Sequence, residues 1–213
     1  MFRSHLRLTG VGLVLVAAVA LTACSVEGAA AGGETSSRAP GEATPQAAEP
    51  QPSASPSPGS VLSVPTQLPP IEAGVEIVFV VAEGTDDAIP DAVEKAAASV
   101  DASVDVVVSE PSGVVTDLAA AAERSDVVLV SGADLLVSLD AVSSQTLDVQ
   151  FLVLGAQLPE PTGNVTAVVW PGADARNAGS PASDDLVERV PTALKAGLAL
   201  IGDGGAGMVY ELP

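Results

Sequence analysis

The chain of 213 residues holds one cysteine, Cys24, and one histidine, His5, and neither type recurs downstream. Beyond residue 24, a Ser-His-Asp or Cys-His arrangement is therefore excluded, and so is a zinc or iron site held by His or Cys. Lys95 and Lys195 are the only lysines, and both fall on the solvent side of expected helices. Carboxylate and hydroxyl chemistry remains, which suits hard cations such as Mg²⁺ or Ca²⁺. The best place for it is Glu83-Gly84-Thr85-Asp86-Asp87. The same residues also read as a helix N-cap followed by a first-turn acid, and both readings stand. We expect no enzyme, no cofactor and no resident metal.

The elements around this cluster follow from periodicity. Val75 to Ala82 is a continuous, largely β-branched run, the pattern of a strand buried on both faces. Asp86-Asp87 open a helix with Ile89, Val93, Ala96, Ala97 and Val100 on one side. A second strand spans Val104 to Val108, and a helix capped by Ser112 runs through Arg124. The third strand is Asp126 to Gly132, followed by a helix with Leu135, Leu136, Leu139 and Val142 inward. Strands at Val149–Leu154 and Val165–Trp170 follow, joined by a proline-broken connection, Gly155 to Asn164, too short for a helix. Ser183-Asp184-Asp185 start a last helix that Pro191 kinks or splits, and Met208 to Leu212 is a short edge strand.

Strands alternating with helices imply an α/β domain: three layers around a mostly parallel sheet of five to six strands. A flavodoxin-like 2-1-3-4-5 order would open a crevice between the carboxyl ends of strands one and three. A small ligand there would meet Glu83, Thr85 and Asp86; Ser131, Gly132 and Asp134; and Gly155 and Gln157. Asp86 and Asp134 disfavour an anion, so a neutral polyol, an amine or a cation is expected. A phosphoacceptor receiver domain is excluded, because the third strand ends in Ser131-Gly132 and the fifth in Trp170-Pro171. Gly202 to Gly207 fits Gly-x-Gly-x-x-Gly but opens no helix, so it is read as a turn. With 27 acidic against 8 basic residues, no nucleic-acid partner is expected.

The amino terminus reads as a secretory signal. Arg3 and Arg7 precede the apolar stretch Leu8 to Ala20, and Leu21-Thr22-Ala23-Cys24 resembles the bacterial lipobox. That resemblance implies removal of residues 1–23, lipidation of Cys24, and anchoring to the extracytoplasmic face of the cell membrane. Residues 24–74 carry the lipidated cysteine and a Pro/Ala/Ser-rich stretch holding nine of the chain's 17 prolines, expected to be an unstructured tether. The α/β domain is expected to span 75–213.

Three segments resemble the basic membrane lipoprotein family of ABC transporter substrate-binding proteins, a nucleoside-receptor-like group. They are Ser125 to Gly132, Leu147-Asp148-Val149-Gln150-Phe151 through Gly155, and Asn164-Val165-Thr166-Ala167-Val168-Val169-Trp170. The resemblance covers part of one lobe and implies a periplasmic-binding-like single lobe with an ABC permease, or a second lobe on another chain, as partner. The expected function is a membrane-anchored small-ligand-binding protein. The alternative is a non-transport envelope lipoprotein whose α/β module serves interaction or sensing.

Overall fold

A computed structural model describes residues 56–180 and 182–213. The signal segment 1–23, Cys24 and residues 25–55 lie outside the described residues. Seven strands form one sheet: β1 (Val61–Ser63), β2 (Glu76–Ala82), β3 (Ser103–Ser109), β4 (Val127–Ser131), β5 (Gln150–Leu154), β6 (Val165–Val169) and β7 (Val209–Glu211). Four helices accompany them: α1 (Ala88–Ala98), α2 (Val114–Ala122), α3 (Leu136–Ser143) and α4 (Leu186–Gly202).

The order across the sheet is β1-β7-β6-β5-β4-β2-β3, and every neighbouring pair is parallel. Counted from β2, this is the expected 2-1-3-4-5 arrangement, with two further strands, β7 and then β1, beyond β6. The reversal falls between β2 and β4, where the chain leaves β2 toward β3 on one side and later returns to the other.

Two aliphatic cores sandwich the sheet. On one face Phe79, Leu129, Leu152, Leu154 and Trp170 pack under α1 and α4. On the other, Val78, Val80, Phe151 and Val153 pack under α2 and α3. Burying one such Leu, Val or Phe contributes about 1.5–3 kcal/mol. No helix crosses between β5 and β6. Residues 155–164 cover that part of the sheet themselves, with Leu158 buried in the second core.

Four expectations are corrected. Residues 56–74 are not free of the domain: β1 pairs in register with β7, and Leu62, Val64, Leu68 and Ile71 pack on the first core. The boundary at 74/75 therefore lies inside the folded part, and β7 is an interior strand rather than an edge. Helix α4 is not split by Pro191 but runs unbroken from Leu186 to Gly202. The carbonyl that loses its helical partner there is that of Val187, an exposed residue. Ser112 is not the cap of α2: its N-cap is Gly113, which has no side chain to accept a cap bond, and the N-cap of α4 is Asp185, whose side chain accepts none.

The glycine segment after α4 is a packed turn. Gly207 has φ +81, and a Cβ there would lie 2.7 Å from the Gly163 carbonyl oxygen. Its N–H donates to the buried Thr166 hydroxyl at 3.0 Å. Tyr210 completes the turn by donating its hydroxyl to the Gly205 carbonyl at 2.9 Å. Burial, with the Asp203 carboxylate in second place, pushes the Tyr210 phenol up from its ordinary value.

Candidate functional site

The carboxyl ends of β2 and β4 part at the reversal, and six of the eight expected ligand residues sit on the two turns there. After β2, the Glu83 N–H donates to the Ser109 carbonyl at 2.9 Å, tying the turn to β3 and leaving its carboxylate exposed. The Thr85 hydroxyl donates to the Ala82 carbonyl at 2.7 Å. The Asp86 carboxylate accepts the Ala88 N–H at 2.9 Å from one position before the N-cap of α1, Asp87, which makes no side-chain cap bond. A carboxylate holds further lone pairs, so this bond does not exhaust its capacity as an acceptor.

After β4, Ser131 is half-buried and the Gly132 N–H donates to the Leu154 carbonyl at 2.8 Å. Asp134 is exposed, and the cap position of α3 is Leu135, which makes no side-chain cap bond. Asp134 is thus not the helix cap that its position suggested.

Gly155 and Gln157 belong to a different environment. Gly155 has φ +72, and a Cβ there would lie 3.1 Å from the Trp170 ring and 3.2 Å from Leu186. Only glycine lets β5 end against that indole. Gln157 is 5 % exposed; its N–H donates to the Ala175 carbonyl at 2.9 Å and its Nε2 to the Asp174 carbonyl at 3.2 Å. Both of these donors are spent on the loop after β6. That loop passes over β5 through the Ala156–Ala175 bridge, and Ala182 comes within 3.9 Å of where a Gly132 Cβ would stand. The loop therefore covers β5 and reaches the rim of β4.

The densest polar network at this end was not expected from sequence. Trp170 Nε1 donates to Asp185 Oδ1 at 2.8 Å, and the Ser183 hydroxyl donates to the same oxygen. Arg189 Nε donates to Asp185 Oδ2 at 3.2 Å, while its Nη1 donates to the Pro213 carbonyl at 2.8 Å. The Ser183 and Trp170 bonds hold the Asp185 carboxyl below its ordinary value, against some desolvation, and Arg189 adds to the effect. The (i, i+4) spacing of Asp185 and Arg189 was a readable signal; the Trp170 contact was not. Beside this network an open cleft of about 450 Å³ is lined by Pro171, Gly172, Ala182, Ser183, Asp184 and Asp185.

A more enclosed cleft, about 290 Å³, lies at the opposite end of the sheet, between Val75, Asp126, Gln150 and the last turn of α4. The Gln150 Oε1 atom is buried there without a hydrogen-bond partner among the described residues. We place the candidate site at the β2/β4 crest nonetheless, because loops part at a strand-order reversal and helix starts converge on it. Among the described residues, no three His, Cys, Asp or Glu side chains gather to hold a metal ion. No helix among them is long and apolar enough to cross a membrane.

No family profile matches the chain, and no curated protein matches it. Among solved structures, a fragment described as a lipoprotein from Peptoclostridium difficile 630 aligns at 16 % identity and TM-score 0.43, over 62 % of this chain and 98 % of its own. A solute-binding protein of an ABC transporter system from Aeropyrum pernix K1 aligns at 21 % identity and TM-score 0.38. It is covered over 29 % of its length and this chain over 47 %. A periplasmic ribose ABC transporter structure from Conexibacter woesei DSM 14684 aligns at 17 % identity and TM-score 0.39, over 66 % of this chain and 54 % of its own. This chain thus spans between 29 % and 54 % of these two transporter proteins. The fold class stands on the strand order and register above.

Proposed function

We propose that the chain is an extracytoplasmic lipoprotein, held on the membrane through Cys24, whose α/β domain binds a small polar ligand at the β2/β4 crest. It acts in this reading as a substrate-binding component, not as an enzyme. The observation that supports it is the strand-order reversal with two exposed, acid-bearing turns beside it. Glu83, Asp86 and Asp134 offer acceptors and negative charge, so the ligand carries hydroxyls, an amine or a metal cation. An ABC permease, or a second lobe on another chain, is the partner this reading requires.

The test is a thermal-shift screen of the protein against nucleosides, sugars, amino acids and divalent cations. A ligand at about 100 times its dissociation constant stabilises a fold by about 2.7 kcal/mol. Asp86→Ala and Asp134→Ala should weaken a hit beyond what their lost stability explains. Equal affinity in both variants would move the site elsewhere.

A second reading, an interaction or sensory module without transport, has its own support. Gly155 and Gln157, two of the eight expected contacts, are committed to the protein's own loop and indole. A screen with no hit, together with a protein captured at the cell envelope, would favour it.

A further inference from the structure

Among the described residues, the sheet ends on one side at β3, with no strand beyond it. Residues 103–109 register with 76–82 of β2. The Ser103 N–H donates to the Val75 carbonyl at 3.0 Å, and the Ser109 carbonyl accepts the Glu83 N–H at 2.9 Å. In a parallel pair alternate residues bond to the neighbour, so the odd-numbered residues of β3 face β2. The N–H and C=O groups of Val104, Val106 and Val108 therefore point outward.

Exposed edges are normally blunted by charged side chains, lysine above all, by proline, a bulge or a covering segment, and the one charge on β3, Asp105, is paired with Arg124. Ser103–Ser109 reads Ser-Val-Asp-Val-Val-Val-Ser and has no lysine or proline, and its seven residues register with β2 without a break. Val108 is 65 % exposed. The other edge is guarded differently: β1 is three residues long and lies between Pro58 and Pro65.

We propose that β3 pairs antiparallel with β3 of a second copy of this chain, about a two-fold axis at Val106. Three observations select this partner and register. A centre at Val106 sets Val106 opposite Val106 and Val104 opposite Val108, so all outward N–H and C=O groups of the three valines are exchanged. It also lays half-buried Val104 against exposed Val108 on one face of the joined sheet. Finally, it places Asp105 opposite Val107, whereas a centre one residue earlier would set Asp105 against Asp105. Asp105 keeps its ion pair with Arg124 on the same strand's own side. Because each copy carries a formal charge of −19, association strengthens as salt is raised.

The test uses the full chain with Cys24→Ser, so that an introduced cysteine is the only thiol. In the proposed register, Val106→Cys brings two cysteines to a Cα spacing of about 5.5 Å, within disulfide reach. Oxidation should then give a product of twice 21.0 kDa on a non-reducing gel. Its yield should be roughly tenfold above that of Val137→Cys, a control whose site is 71 % exposed on α3. Val106→Pro removes the outward N–H together with the part of the Val106 side chain that packs on the first core, and proline is tolerated in an edge strand. It should retain the cooperative circular-dichroism transition while the dimer disappears in sedimentation velocity. Equal cross-linking at 106 and 137, a dominant cross-link from Val107→Cys, a dimer that survives Val106→Pro, or a monomer at every salt concentration would each overturn the proposal.

Discussion

At Asp185, three donors meet one carboxylate, and the charged form is favoured in the fold. A carboxyl whose folded value is depressed contributes stability above its unfolded value, and that contribution is lost as pH falls through the folded one. The window therefore lies at and below the ordinary value of 3.8. Asp185→Asn should be less stable than the parent at neutral pH, and the two should converge as the solution is acidified. Denaturant melts at stepped pH, followed by the emission of Trp170, the chain's one tryptophan, read this directly. Asn164 is a second residue whose weight comes from its amide. It is 3 % exposed, and its Nδ2 lies within 3.2 Å of the Ser143, Thr146 and Val149 carbonyls, while its Oδ1 accepts the Thr162 hydroxyl. Asn164→Ala should cost about 1–3 kcal/mol in urea unfolding, because it strips buried carbonyls of their donor.

Among the elements, the amino-proximal strand carries the sharpest expectation. Deleting residues 56–74 removes Leu62, Val64, Leu68 and Ile71 from the first core and bares β7. If each partly buried side chain is worth about 1 kcal/mol, the loss is about 4 kcal/mol. The melting temperature should fall by roughly 10 °C in calorimetry. An unchanged transition would show that this segment adds nothing. The strands β2 to β6 could be read from sequence because each is a β-branched run bounded by turn residues and too short to be a helix. β1 could not: Val61-Leu62-Ser63 is three residues among prolines, and only its pairing with a strand some 150 positions on makes it visible. The same limit applied to the site. The β2 and β4 turns followed from strand order, whereas the Trp170–Asp185 contact and the loop over Gln157 depend on how β6 hands over to α4.

For the whole molecule, anchoring is the first question. Cys24→Ala should release the protein from the membrane fraction or leave an unprocessed precursor, and it should abolish palmitate labelling. Labelling that persists in this variant would contradict lipidation at Cys24. The acidic balance then has a plain effect on any assembly, since copies crowded on a surface repel one another until salt screens them.

The position of β1 bears on how the domain answers a mechanical load. It is the outermost strand, joined on one side to β7 by bonds such as Gly59 N–H to Gly207 and Val64 N–H to Glu211, 2.7 and 3.1 Å long. Among the described residues, a pull on the chain from its amino-terminal side meets those bonds first. Peeling β1 and unravelling residues 56–74 would lengthen the chain by roughly 65 Å, at about 3.5 Å per residue. Glu76, which opens β2, would feel the force only afterwards, with β3 on one flank and β4 on the other. The short edge strand would thus act as a sacrificial link, yielding length under tension while the turns at the far ends of β2 and β4 keep their shape.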